Sequence, residues 1–324
     1  MNIYQYQLYD WVEVDKLDWQ LLSSNPNAIE LLKANSDKID WDELSSNPNA
    51  IEFLEKNIDK INWVKLSQNK NAISLINKNL DKIDWSLLSS NPGAIELLNK
   101  NQNKIDWDYL SLNTNIKAIE LLKKNPHKIN WDYISKNQNA IKILEANLDK
   151  INWSSLCLNP NAIKLLKENQ DKIILYNLVQ NPNGYMILIN DIDKIYYWFT
   201  FSISTNGIDF LKENKDKIDW DGLSGNTNDK AIELLLENQD KIDWDILSSN
   251  TNPNVIQLLL QNKDKIDWVA ISENPGIFTY SYNKIKEDKL ELHKELMEQI
   301  LHPDRLFKLI NLYGKKEIYD TYFN

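Results

Sequence analysis

The chain reads as an all-α helical tandem-repeat solenoid of short helix-turn-helix units with a C-terminal helical cap. Three observations predict this class. Tryptophan recurs at Trp19, Trp41, Trp63, Trp85 and Trp107, each 22 residues from the last. The phrase W-x-x-L-S-S-N-P-N-A-I-E-L-L-K-x-N-x-D-K-I-D fills each interval. Each half of that phrase carries its own helix punctuation, yet neither half is long enough to be stable alone, because isolated helices below about 12–15 residues are marginal in water.

The repeat continues with steps of 24 residues to Trp131 and 22 to Trp153, then through two degenerate units to Trp220, Trp244 and Trp268. In the degenerate units Leu175 and Tyr197 take the tryptophan position. The longer units insert residues at one place, as in NTNIKAI (113–119), NTNDKAI (226–232) and NTNPNVI (250–256). An insertion confined to one point marks a loop, here the loop between two helices.

Asp18, Asp40, Asn62, Asp84, Asp106, Asn130 and Asn152 precede the tryptophan, where a short oxygen-bearing side chain accepts from a backbone N–H of the next turn. They predict the N-cap of a first helix. Asn25, Asn47, Asn91 and Asn159, followed by Pro26, Pro48, Pro92 and Pro160, predict the start of a second. That helix holds Ala28, Ile29, Leu31 and Leu32, apolar at spacings of three and four. Asn35, Asn57, Asn79, Asn101, Asn125, Asn147 and Asn169 predict its end, since asparagine tolerates the left-handed closing conformation.

The tryptophan, Leu22 and its equivalents, the Ala-Ile-Leu-Leu set and the linker Ile39, Ile61, Ile83, Ile105 and Ile129 form one continuous expected core. Some eleven to twelve units would stack into a curved body on the order of 100 Å long. The domain plan is residues 1–18 as an N-terminal cap, 19–282 as the solenoid and 283–324 as a C-terminal helical cap. Capping is the expected duty of both ends, and the C-terminal helices are alternatively a docking element.

Composition bounds the function. With 42% hydrophobic and 26% charged residues and only 7 Gly and 9 Pro, the chain suits a folded protein. A net charge of −10 offers no basic footprint for a phosphate backbone, so nucleic acid is an unlikely partner. The N-terminus lacks a basic stretch followed by an apolar one, and no window approaches 18 consecutive apolar residues. The chain therefore reads as unsecreted and without a membrane span. Cys157 is the single cysteine, read as a packed thiol in a reducing compartment.

No nucleotide loop, HExxH, paired CxxC or G-x-S-x-G occurs, and the three histidines His127, His293 and His302 are scattered. No catalytic, cofactor-binding or metal-binding residue is assigned. A column of lysines (Lys38, Lys60, Lys82, Lys104, Lys128, Lys150, Lys172, Lys194, Lys217, Lys241, Lys265) stands at one linker position. It could track a polyanion, but local pairing with adjacent aspartates and contacts to helix-end carbonyls account for it better. Glu52 with Lys56, Glu96 with Lys100 and Glu120 with Lys124 are expected i,i+4 pairs on a solvated face.

Residues 174–201 lose the consensus and gain aromatics. As a rule such stripes fill core, so repacking is the first reading. The second is a contact surface, with Tyr176, Tyr185, Met186, Tyr196, Trp198 and Phe199 as candidate protein-contact residues.

The phrase LSSNPNAIELL followed by DKIDW, repeated over residues 19–268, resembles the short tryptophan-containing repeats of paralogous proteins from giant DNA viruses. The segments ENPGIFTYSYNKIK (273–286) and LHPDRLFKLINLYG (301–314) are similar to how those proteins finish. The resemblance implies a host-facing or partner-binding module in host cytoplasm or in a virion, and carries over no functional residues. The resulting expectation is a non-enzymatic protein-binding or scaffold protein. The alternative is a modular single-stranded nucleic-acid-binding solenoid, which needs stacking side chains facing a groove.

Overall fold

The computed structural model describes residues 6–189, 193 and 195–281, together with 286, 290, 294, 298, 302, 305, 306, 308, 309 and 315. The chain divides into two compact units, Leu8–Phe278 and Met1–Gln7 with Thr279–Asn324. The first contains the repeats, and it is an all-α helical repeat solenoid of short helices stacked neighbour on neighbour.

Unit 8 opens at Leu175 and unit 12 with the short helix Ala270–Glu273. The other ten of the twelve units open with a helix that starts at the tryptophan, as in Trp19–Ser24, Trp41–Ser46, Trp107–Leu112 and Trp244–Ser249. The preceding residue caps it as expected. The Asp18 carboxylate accepts from the Leu21 N–H at 2.9 Å and the Asn62 side chain from the Lys65 N–H at 3.1 Å. Such a cap is worth about 1 kcal/mol. Of the expected core, Leu22, Ala28, Leu32 and Ile39 and most residues that repeat them down the chain are buried, whereas Ile29, Leu31 and Ile83 are only half-buried. The tryptophans are not part of that sealed core, because all of them are only half-buried, each with an edge to solvent.

The second helix begins later than proline punctuation suggests. It starts at Ile29 in unit 1 and Ile51 in unit 2, after a turn in which the Ala28 N–H donates to the Asn25 carbonyl at 3.1 Å. In two lengthened units the insertion extends that helix, which starts at Ile116 and Asp229 under side-chain caps from Asn115 and Asn228. The asparagine at its end is not left-handed either. Asn35 has φ −132° and ψ 53°, and its side-chain amide donates to the Leu31 carbonyl at 2.9 Å. The amide satisfies a helix-end carbonyl directly, so no positive φ is needed.

Two polar ladders join successive units. The Ser23 hydroxyl donates to the Trp19 carbonyl and accepts from the N–H of Asp40 in the next unit at 3.0 Å. The buried Asn47 amide donates to the Ser23 and Asn25 carbonyls of the unit before, at 3.0 and 2.8 Å, while its oxygen accepts from the Asn49 N–H. Asn69, Asn113, Asn137 and Asn159 repeat the arrangement. The column read as a helix cap is thus chiefly a mortise between units, with every polar atom paired as burial requires.

The ladders do not end at unit 12. The Asp18 N–H donates to the Ser272 hydroxyl at 2.9 Å, the Asn25 amide to the Ser272 carbonyl at 3.0 Å, and the Asn27 amide to the Pro275 carbonyl at 3.0 Å. Unit 1 therefore sits on unit 12 as unit 2 sits on unit 1, and residues 8–278 close into a ring of twelve units. Unit 12 is a composite. It supplies Trp268 and the turn Pro275–Ile277, and the N-terminal side supplies the linker, with Val14–Lys16 forming the turn that elsewhere precedes a tryptophan. Lys16 lies over the Trp268 ring at 5.2 Å, and the Tyr9 N–H donates to the Ile277 carbonyl at 3.1 Å. The expected curved body on the order of 100 Å long is instead closed on itself, and residues 8–17 of the segment expected as an N-terminal cap complete unit 12. An open stack would leave one face of units 1 and 12 exposed, and joining them buries both.

First helices of successive units pack directly on one another, whereas second helices approach one another less closely. Closer spacing marks the concave layer, so the first helices form the inner wall of the ring and the second helices its outer surface.

Strands β1 (Tyr6–Leu8) and β2 (Phe278–Tyr280) pair as a two-stranded sheet, and in the other compact unit the Tyr6 ring stacks on Tyr280 at 5.1 Å. The C-terminal helical cap expected over 283–324 lies largely outside the described residues, of which 286, 290, 294, 298, 305, 306, 308, 309 and 315 are helical. No helix of the described residues is long and apolar enough to cross a membrane.

Candidate functional site

The site lies at units 8 and 9, where both ladders and both caps change. Cys157 replaces the ladder serine of unit 7, and its Sγ accepts from the Ile174 N–H at 3.3 Å. Burial pushes this thiol's pKa up, so it is packed and protonated rather than nucleophilic. Val179 takes the serine place in unit 8 and has no hydroxyl to offer. Its carbonyl accepts instead from the Ser204 hydroxyl at 2.8 Å.

Unit 9 is one residue out of the expected register. Its first helix is Trp198–Ser204, and the Ser202 hydroxyl accepts from the Asp219 N–H as Ser23 does from Asp40. Trp198, four residues before Ser202, is therefore the true tryptophan position, and Tyr197 occupies the cap position. Thr205 replaces the ladder asparagine, with its hydroxyl accepting from the Gly207 N–H at 2.9 Å. Gly222 lets the next unit approach closely, since a Cβ there would sit 2.4 Å from the Phe199 carbonyl oxygen.

The cap positions of both units are apolar. Ile174 and Tyr197 make no side-chain cap hydrogen bond, and both are exposed. Around them are the exposed side chains of Tyr176, Tyr196, Phe199 and Ile203, with Tyr196 the most open at 75%. Tyr176 meets Tyr197 edge-on at 5.1 Å, which ties the two units' contributions into one surface. Residues 173–189 and 195–208 contain no charged side chain, in a chain where 26% of residues are charged.

Of the six candidate contact residues, Tyr176, Tyr196 and Phe199 belong to this surface. Met186 is exposed on the second helix Tyr185–Leu188 and so lies on the outer layer. Tyr185 and Trp198 are half-buried and pack as gap-fillers. The Tyr185 ring lies against Gly207, and Trp198 meets the buried Phe201 edge-on at 5.6 Å. Ile174, Tyr197 and Ile203 were not among the candidates. The signal for the first two was present, an Asp/Asn cap column interrupted by Ile and Tyr.

The lysine column has a different partner from the expected aspartates. Lys38, Lys60, Lys82, Lys128, Lys150, Lys241 and Lys265 each place the ammonium over the tryptophan of their own unit, at 4.2 to 5.2 Å from the ring centre. Lys172 and Lys217 pair with Asp171 and Asp216 as anticipated. On the outer surface Glu52 pairs with Lys56 at 3.1 Å, but Glu96 reaches across to Lys117 of the next unit rather than to Lys100.

Comparison of the chain with protein-family models, with curated proteins and with solved structures returns no match, so the reading of its role rests on the ring itself.

Proposed function

We propose that this protein is a non-enzymatic binding or scaffold ring, whose contact surface for a protein partner is the uncharged aromatic face of units 8 and 9. The observation that carries the reading is the double local cost at Ile174 and Tyr197. Each gives up a helix cap worth about 1 kcal/mol and leaves apolar surface in water instead. A contiguous exposed aromatic surface of this kind is characteristic of recognition sites. The resemblance to viral repeats supports a host-facing setting, in cytoplasm or virion.

The nucleic-acid alternative loses its stacking platform, because seven repeat tryptophans have a ring face covered by their own lysine. The test is affinity purification with mass spectrometry, comparing the full chain with a Tyr176→Ser, Tyr196→Ser, Phe199→Ser variant that keeps its circular dichroism. Partners lost with the variant support the site; an unchanged partner list removes it.

A further inference from the structure

Tyr176 and Phe199 each follow the residue at the tryptophan position of their unit, on the first helix and hence on the inner wall. The same position carries Asp42 in unit 2 and, nearer units 8 and 9, Asp108, Asp132, Asp221 and Asp245. These last four carboxylates are exposed, and none of them pairs with a lysine or arginine among the described residues. They are also placed on both sides of the apolar sector: Asp108 and Asp132 in units 5 and 6, Asp221 and Asp245 in units 10 and 11. Ser154 holds the position in unit 7. The inner wall thus presents an uncharged aromatic strip with a pair of carboxylates beyond each edge, the Asp132 carboxylate accepting from the neutral Asn152 amide at 2.7 Å.

A ligand that matches this order is apolar along one stripe and cationic on both flanks. With first helices about 8–10 Å apart, twelve of them enclose an opening wider than the ~10–12 Å of one helix with its side chains. We infer that the inner wall of the ring receives a basic amphipathic helix, its apolar stripe on Tyr176, Tyr197, Phe199 and Ile203 and its Lys or Arg flanks toward Asp108, Asp132, Asp221 and Asp245. This rests on the reading of units 8 and 9 as the contact surface and gives that surface a partner chemistry, recognised as helix-in-groove complexes are, by anchors at spacings of three and four. A second copy of this chain does not meet the requirement, since it brings a net charge of −10 to an acidic wall.

The probe is a fluorescent peptide of about 20 residues with Leu at i, i+3, i+4 and i+7 and Lys elsewhere, titrated with the full chain by anisotropy. Binding is expected in the micromolar range at about 50 mM salt, at least tenfold weaker at about 500 mM, and absent for the counterpart peptide with Glu in place of Lys. The variant Asp108→Asn, Asp132→Asn, Asp221→Asn, Asp245→Asn, on exposed positions and so expected to fold, should bind about tenfold more weakly or worse. The matched control Asp37→Asn, Asp59→Asn, Asp149→Asn, Asp240→Asn removes the same charge from linkers and should bind as the parent does.

An equal loss in the control variant would mean general attraction to an acidic protein and would overturn the inference. So would absence of peptide binding, or peptide binding that survives Tyr176→Ser with Phe199→Ser. If sedimentation shows the full chain to be a dimer that those two substitutions dissociate, the occupant is a second copy and the inference fails while the contact surface stands. Peptide failure with lysate partners still lost on the aromatic variant likewise rejects only the helix; failure of both rejects the surface itself.

Discussion

The N–H of Asp18 donates to the hydroxyl of Ser272 across 254 residues of sequence, at 2.9 Å, in the arrangement by which Asp40 binds Ser23 within the repeat. One bond of a local ladder thus becomes a contact that closes the ring. Its consequence is that no unit is terminal, so stability should be shared around the ring rather than fraying from two ends.

Ser272→Ala should therefore cost as much as Ser89→Ala in the middle of the chain, about 1–2 kcal/mol, since each leaves the next unit's N–H without its acceptor. Urea denaturation midpoints check this. In an open solenoid the Ser272 substitution would be nearly silent. Removal of residues 1–17 should go further, lowering the midpoint and broadening the transition by uncovering Trp268 and Ile277.

Asn113 is buried, and its amide donates to the Ser89 and Asn91 carbonyls while accepting from the Asn115 N–H. Asn113→Ala orphans those groups in a dry interface and is expected to cost roughly 2–4 kcal/mol. Asn139→Ala, at an exposed bond to the Thr114 carbonyl, should cost well under half as much by the same denaturation measurement.

Cys157→Ser replaces a weak sulfur acceptor by the hydroxyl found in most other units. A gain on the order of 0.5–1 kcal/mol is expected, read as a raised denaturation midpoint. The parent thiol, buried and with its pKa raised, should react with thiol reagents at pH 8 only as fast as the ring opens.

Lys128→Gln removes the ammonium that lies 4.2 Å from the centre of the Trp107 ring. A loss of about 0.5–1 kcal/mol is expected, with a change in tryptophan fluorescence, because the ring face is then open to water. Lys172→Gln breaks only an exposed pair with Asp171 and should be near neutral.

Gly222→Ala places a methyl group against the Phe199 carbonyl oxygen, a backbone atom that cannot step aside. A destabilisation of about 1–3 kcal/mol is expected, together with weakened capture by the aromatic face, since the helix that carries Phe199 must shift.

What the sequence determined by itself was the unit. Period, core column and first-helix cap all follow from short-range pattern, and Leu22, Ala28, Leu32 and Asp18 stand where the 22-residue phrase puts them. The location of the departure, residues 174–201, was legible for the same reason, since a broken pattern is itself a local signal. What the tertiary structure decided was everything set by how one unit meets the next. The rise and rotation per unit are sums of small side-chain contacts, and only their accumulation over twelve units brings Ser272 to Asp18. The same accumulation makes the first helices concave, turns a cap asparagine into an inter-unit donor, and sets seven of the column's lysines over a ring instead of beside an aspartate. A repeat spells out its own fold in sequence, but closure depends on the angle between copies, and no single copy contains that angle.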